Sequence, residues 1–482
     1  MRQKVLKVGA LFVFVMGFVS GCASFNRSHI SVVNQHQQKI SHGGVAQVAA
    51  ELAVDARKGG RNGVLHALEA GTYYQFMQDY EHSREMFTLA EMQIRQYEER
   101  AKVSVRDVGS NVKAAFASDL ELPYKGWGFE KVMLCSLQAL NYLFLNDLEG
   151  AGVEVRKADL RQKEEEENHQ RELKKLEEEK GKQNVDNRSV DSVMANYAVL
   201  DDYAAKVVSS FQNAFTYFLS GVIYEASGNM DDAYIDFKKC YSLYKTSCVE
   251  RKLMHLAQRL GDQSAVVAQT GPANTHEGDT GQVEPSESGG GEVVVVYFVG
   301  RVPRLKGAKF SLWTPGKNFN VAFPFYDPAT FYSGENCLEI GINGEGVQAR
   351  SESVLDFVPI VTQSLKKRMP GIIVRQTIRL LTKRSVEKET GKRLGLLGKL
   401  AAKVVNTVTE RPDLRGWYEL PGAVQVAIVN VKPGPVTLNL TANESGFQSF
   451  SQDVDVNVPN GGKALVMVQS VGTQKVVHSV RL

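Results

Sequence analysis

Hydrophobic and polar positions change rhythm three times along the 482 residues. Residues 8–21 carry no charge, and Phe12, Val13, Phe14, Val15, Met16, Phe18 and Val19 make them strongly apolar. From about 46 to 260, apolar residues recur at spacings of three and four, with Pro123 the one proline between Ala46 and Leu260. That rhythm predicts a block of amphipathic helices. After about 292 the pattern becomes that of strands. Residues 293–299 form an unbroken apolar run, and further strands are expected at 423–431, 436–440, 454–458 and 464–471. Turns are expected at Lys432-Pro433-Gly434-Pro435 and Asn460-Gly461-Gly462. A basic helical segment at about 364–408 interrupts the strands. Residues 261–291, rich in Gly, Ser, Thr, Pro, Gln and Glu, read as a disordered linker. The expected fold class is therefore α+β and multidomain: a helical half at 46–260, then a β-rich, sandwich-like half at 292–482 with a helical insertion.

Three segments of the helical block share their internal spacing. One runs Tyr217, Gly221, Tyr224, Gly228, Ala233, Phe237, Cys240. A second runs Cys135, Ala139, Tyr142, Asn146, Ala151, Val155, Ala158, and a third Ala67, Gly71, Tyr74, Gln78, Ser83, Phe87, Ala90. This order of bulky, small, aromatic, turn, small and bulky residues resembles the tetratricopeptide repeat. Small residues let two helices approach closely while aromatic ones fill the space between them. Only one copy keeps the turn glycine. Equivalent positions lie some 70–80 residues apart, so no tight solenoid array is expected; a generic helical bundle is the plainer reading. Arg161 to about residue 192 begins as a run of Glu, Lys, Arg and Gln with Leu173 and Leu176 as its few anchors. It reads as a solvated helix extension or partly disordered arm, since two leucines are too few for a coiled-coil seam.

The N-terminus supplies an address. Arg2, Lys4 and Lys7 precede the apolar run. Its fourteen residues, rising about 1.5 Å each, reach some 21 Å, short of a hydrocarbon core of about 30 Å. That is the form of a secretory signal. It ends in Val19-Ser20-Gly21-Cys22, which resembles the bacterial lipobox. The resemblance implies cleavage before Cys22, acylation of its thiol, and residues 1–21 as a signal peptide. Ala23, where an Asp would imply inner-membrane retention, points to the periplasmic face of the outer membrane. Residues 22–45, polar and holding His29, His36 and His42, read as a tether.

Charge then separates the two halves. Of the net +3, three positive charges belong to the signal. Residues 22–290 hold 30 Lys and Arg against 39 Asp and Glu; residues 291–482 hold 24 against 15. Such asymmetry predicts modules with different surfaces.

Catalytic motifs are not found. HExxH and GxSxG are absent, and no cysteine pair has the close spacing of a metal or redox site. Cys240 and Cys248 are expected on one helix, out of disulfide reach, and Cys135 and Cys240 on apolar faces. No cofactor, metal or enzymatic activity is expected. Asp231-Asp232 sits at a helix start, where the dipole accounts for it. The candidate binding surface is basic: from Lys366 to Lys403 there are twelve Lys or Arg, including Lys366, Lys367, Arg368, Arg375, Arg379, Lys383 and Arg384, against two Glu. It reads either as a surface for anionic lipid or polymer, or as a solvated amphipathic helix covering the β half. Nucleic acid is excluded by the compartment. Pro123 to Val132 reads as a peptide-binding lip or, more plainly, as the lead-in to a helix.

Taken with Tyr73-Tyr74, Asp79-Tyr80-Glu81, Pro123-Tyr124-Lys125-Gly126, Phe129-Glu130-Lys131-Val132, Thr409-Glu410, Asp413-Leu414-Arg415, Trp417 and Leu420-Pro421, the chain resembles a poorly characterised family of bacterial envelope lipoproteins with tetratricopeptide-like repeats. Pro412 and Gly416 depart from that pattern. The resemblance implies location and a scaffold role, with no reaction attached. Two functions follow as expectations: an interaction scaffold whose repeat grooves hold peptides of envelope proteins, or a lipoprotein that binds or processes an anionic envelope polymer through its C-terminal half.

Overall fold

The computed structural model describes residues 29–104, 119–261, 290–331, 337–408, 411–442, 449–472 and 474–482. Cys22 and almost all of the expected linker lie outside the described residues. Eleven described helices precede the first strand, and the sheets follow, so the layout is α+β in two parts.

The three segments of shared spacing each fold as a helical hairpin. These are α3 (Gly63–Phe76) with α4 (Tyr80–Ser104), α5 (Gly128–Phe144) with α6 (Leu148–Gln183), and α9 (Ala214–Ala226) with α10 (Met230–Leu243). Their turns are alike down to the backbone. Gln78, Asn146 and Gly228 all take positive φ, at 62°, 59° and 81°. In each, the amide one residue later donates to the tyrosine carbonyl five residues back: Asp79 to Tyr74 at 2.9 Å, Asp147 to Tyr142 at 2.8 Å, Asn229 to Tyr224 at 2.8 Å. This is the left-handed stop that satisfies the last carbonyls of a helix, made in two copies without glycine. The small positions are equally constrained. A Cβ on Gly71 would lie 2.4 Å from the Phe87 ring, and one on Gly221 2.8 Å from Phe237. Ala139, Ala151 and Ala233 are fully buried. Gly71→Val should therefore overpack the α3–α4 contact and cost about 1–3 kcal/mol; urea unfolding measures it, with Phe87→Leu in the same chain expected to restore part of the loss.

The hairpins are neighbours in space despite their separation in sequence. Gln75 of α3 donates to Asn141 Oδ1 and the Leu137 carbonyl of α5, at 2.7 and 2.9 Å, and Ser136 of α5 meets Thr216 of α9 at 2.7 Å. The expectation that they would not stack closely is corrected. The intervening chain leaves along the 36-residue α6 and returns through α7 (Asn187–Met194) and α8 (Asp201–Ala204). Of the two readings of the charged arm, the solvated helix extension holds: α6 runs continuously through it and most of its positions are exposed, while Arg161, Gln162, Glu165 and Leu176 are buried.

A five-stranded sheet, in the order β11-β10-β1-β7-β6, lies against the helices. It comprises β1 (Gly291–Val299), β6 (Glu352–Asp356), β7 (Ala423–Val431), β10 (Lys463–Val471) and β11 (Gln474–Arg481). β1 pairs parallel with β10 and antiparallel with β7. Its valine run does not alternate because both faces are buried. Val294, Val296 and Phe298 join the core of the helices. Val293, Val295 and Tyr297 face a second sheet, in the order β5-β4-β8-β9, built from β4 (Leu338–Ile342), β5 (Val347–Arg350), β8 (Gly434–Ala442) and β9 (Phe450–Val458). The two sheets pack face to face as expected, but the halves are not separate modules: one core runs from the helices into the first sheet. A hairpin of β2 (Leu305–Thr314) and β3 (Lys317–Tyr326) packs near α7, where Tyr197 donates to the Pro324 carbonyl at 2.6 Å and Arg188 lies 4.0 Å over the Trp313 ring.

Other expectations change. The described part of the expected tether, from His29 on, is mainly helix: α1 (His29–Ser41) buries Val33 and Ile40, seven residues apart on one face, and α2 (Val45–Lys58) follows it. Cys240 and Cys248 stand on different helices, α10 and α11 (Ser247–Leu260), because the chain turns extended at Tyr244; both are buried and free. The basic segment lies in α12 (Phe357–Val408), which starts seven residues earlier than expected and contains Pro370.

Candidate functional site

The inner helices α3, α5 and α9 are buried almost all round, because the hairpin partners cover one side and the chain's own β half covers the other. A repeat groove open to peptides would need that second side free. Part of the cover is the stretch between α12 and β7, residues 411–422, which runs into the helices and meets the start of α5.

Glu130, in the first turn of α5, sits at the centre of this seam. Its Oε2 accepts from Tyr124 Oη at 2.5 Å and from the Trp127 amide at 2.9 Å, while Oε1 accepts from the Trp417 amide at 2.7 Å. It is fully buried, and burial raises its pKa above the usual carboxylate range against the lowering effect of the hydrogen bonds from Trp417, Tyr124 and Trp127. The Trp417 indole donates to Thr72 Oγ1 at 3.0 Å and stands edge-on to Phe87. Arg415 grips Asp413 through two nitrogens, at 2.9 and 2.6 Å, and reaches the carbonyls of Arg61 and Leu122 at 3.3 and 3.1 Å. Trp127 Nε1 closes the ring with a long bond, 3.5 Å, to the Arg415 carbonyl. The residues that carry the family resemblance around 123–132 and 413–421 thus meet across the seam; Thr409 and Glu410 lie outside the described residues. The plainer reading of Pro123–Val132, a helix lead-in with Tyr124 and Trp127 packed, matches their burial.

α1 straps the same seam. His29 stacks on Tyr418 at 5.7 Å, hydrogen-bonds the Gly416 carbonyl at 3.3 Å, and lies 3.7 Å from Glu69. That last approach is not an ion pair. Burial lowers the His29 pKa to about 4, which leaves the imidazole neutral at pH 7; burial, with Glu419 and Glu130 nearby, raises the pKa of Glu69 well above the usual carboxylate range.

A second lock sits at the other end of the interface. Lys252 of α11 lies 2.8 Å from Glu225 of α9 and 2.6 Å from Glu292 of β1. Lys463 of β10 lies 3.1 and 2.7 Å from the same two carboxylates. Nothing in the sequence marks this quartet, whose members stand on four elements.

The basic candidates are spent inside the protein. Lys366 pairs with Asp201; Lys367 lies 4.4 Å over Phe211; Arg368 lies 4.0 Å over Trp127 and donates to the Gly126 carbonyl. Arg379 is buried and Arg375 half-buried, so these positions do not form the open anion-binding surface expected. The side chains of Lys383 and Arg384 lie outside the described residues. The repeat tyrosines Tyr74, Tyr142 and Tyr224 are half-buried against the core.

Chemically the seam is a clasp. Glu130 is saturated with donors and shielded from solvent, and the nearby cavity lined by Thr72, Glu419, Gln469 and Ser470 measures about 10 Å³, room for a single water and no substrate. Among the described residues no group of three His, Cys, Asp or Glu is placed to hold a metal ion, and no helix is long and apolar enough to cross a membrane. Compared with known families, curated proteins and solved structures, the chain shows no match.

Proposed function

We propose that the chain is a lipoprotein of the bacterial envelope, anchored through acylated Cys22 at the periplasmic face of the outer membrane, and that its tetratricopeptide-like hairpins serve as a protein-interaction scaffold. Partners would meet the outer helices, since the inner face is filled by the β half. One observation carries this reading. Met92 of α4 and Leu160 of α6 stand at the same repeat position and are 49% and 56% exposed. Val153 of α6 and Ile235 of α10 share another, one heptad earlier, and are 42% and 50% exposed. The three outer helices lie side by side, bridged by Lys157 to Glu91 at 2.6 Å and Lys239 to Asp159 at 3.7 Å. Single exposed apolar residues are ordinary, but apolar residues repeated on adjoining helices make a patch, and patches mark interaction sites.

The triple variant Met92→Glu, Leu160→Glu, Ile235→Glu should lose at least tenfold in capture of its envelope partner from solubilised membranes. Its stability should stay within about 0.5 kcal/mol per site, as for surface changes generally. Unchanged capture would remove the scaffold reading from this face, and retention on purified peptidoglycan instead would favour polymer binding.

A further inference from the structure

The described chain begins at His29, seven peptide steps after Cys22. Seven steps reach at most about 25 Å, whereas a compact chain of this size is roughly 55–60 Å across. A free tether of 24 residues would have allowed the body to turn any side to the membrane; a seven-step one does not. Its point of attachment is also fixed. His29 is held by Tyr418, Gly416 and Glu69, Asn34 accepts from Arg304 at 3.0 Å, and Val33 is buried.

We infer that the face around the first turn of α1, formed with residues 301–306 and 411–418, docks on the phospholipid headgroups of the anchoring bilayer. The inference rests on the acylation of Cys22 proposed above. Charge complementarity supports it. Arg61, Lys306 and Arg411 are exposed there, and Arg301 and Arg304 are half-exposed. Among the described carboxylates there, Glu69, Glu130 and Glu419 are buried, Asp413 is gripped by the buried Arg415, and Asp327 pairs with Lys306. The exposed charges Arg61, Lys306 and Arg411 are cations, suited to lipid phosphates, and cations near an anionic surface add attraction that falls off within a Debye length. The proposed partner patch on α4, α6 and α10 lies on the outer side of the helix stack and stays available.

The test uses the full lipidated protein reconstituted in vesicles of phosphatidylethanolamine and phosphatidylglycerol, in a Cys337→Ser background. One sample carries a fluorophore at Lys306→Cys; another carries it at Ile235→Cys, at the opposite end of the helix stack from α1. Spin-labelled headgroups should quench the probe at 306 at least threefold more than the probe at 235. Mass spectrometry of the N-terminal peptide reads acylation in the same samples. Equal quenching with Cys22 acylated overturns the docking face alone; an unacylated Cys22 overturns the anchor, and the docking face with it.

Discussion

Lys252→Met should lower the unfolding free energy by about 3–5 kcal/mol, the usual result of removing one partner from a buried ion pair. Glu225 and Glu292 would then share Lys463 alone in a site from which water is excluded. The quartet joins α9, α11, β1 and β10, so the loss falls on the contact between the helical and β halves. Urea unfolding followed by circular dichroism measures it, and a change under 1 kcal/mol would show the cluster to be energetically idle. Acid tests the same cluster. Burial alone would raise the Glu292 pKa, but Lys252 and Lys463 outweigh it and hold the carboxyl at about 2, below its usual 4.5. A carboxyl lowered on folding stabilises the folded state above its unfolded pKa. Stability should accordingly be fully present above about pH 4.5 and drain away as pH falls toward 2. In Glu292→Gln that part of the acid dependence should vanish.

Trp417→Ala should cost a comparable amount, about 3–5 kcal/mol, the range for emptying a large aromatic site in a core. The residue is 1% exposed, and from the C-terminal half its side chain reaches Thr72 of α3 and Phe87 of α4. Trp417→Phe separates the two contributions: it keeps most of the apolar area but drops the bond to Thr72, and should cost nearer 1 kcal/mol beyond the smaller ring's lost contacts. Equal losses in the two variants would mean that the indole hydrogen bond, not packing, holds the segment. Thermal unfolding of both proteins reads the difference.

What was legible in the sequence was local. Helical spacing placed the three hairpins because a helix writes its contacts into offsets of three, four and seven. Gln78 and Asn146 were placed at their turns by the shared offsets alone, since the left-handed conformation they adopt usually advertises itself through glycine. Strand β7 was foreseen with its observed limits, since turn residues bracket it on both sides. The strap α1 was missed although Val33 and Ile40 carried its heptad spacing, because the surrounding Gln, His and Asn read as a tether. The long-range pairings left no local trace. Glu130 and Trp417 stand 287 residues apart, and the choice at 366–379 between an open basic surface and a helix covering the β half turned on Phe211, Trp127 and Asp201, which no local pattern places beside it.

The parallel pairing of β1 with β10 has a consequence for how the chain is made. Val294 must wait for Leu465, 171 residues later, before the middle of the sheet can close. Contacts so distant form slowly, and exposed apolar strands invite association with other chains meanwhile. A polypeptide threaded unfolded across a membrane would present residues 293–299 bare through most of its delivery. If the chain is exported as proposed, it should depend on a holding chaperone on the way, and the dependence should ease when a charge replaces one of those valines at the expense of the finished sheet.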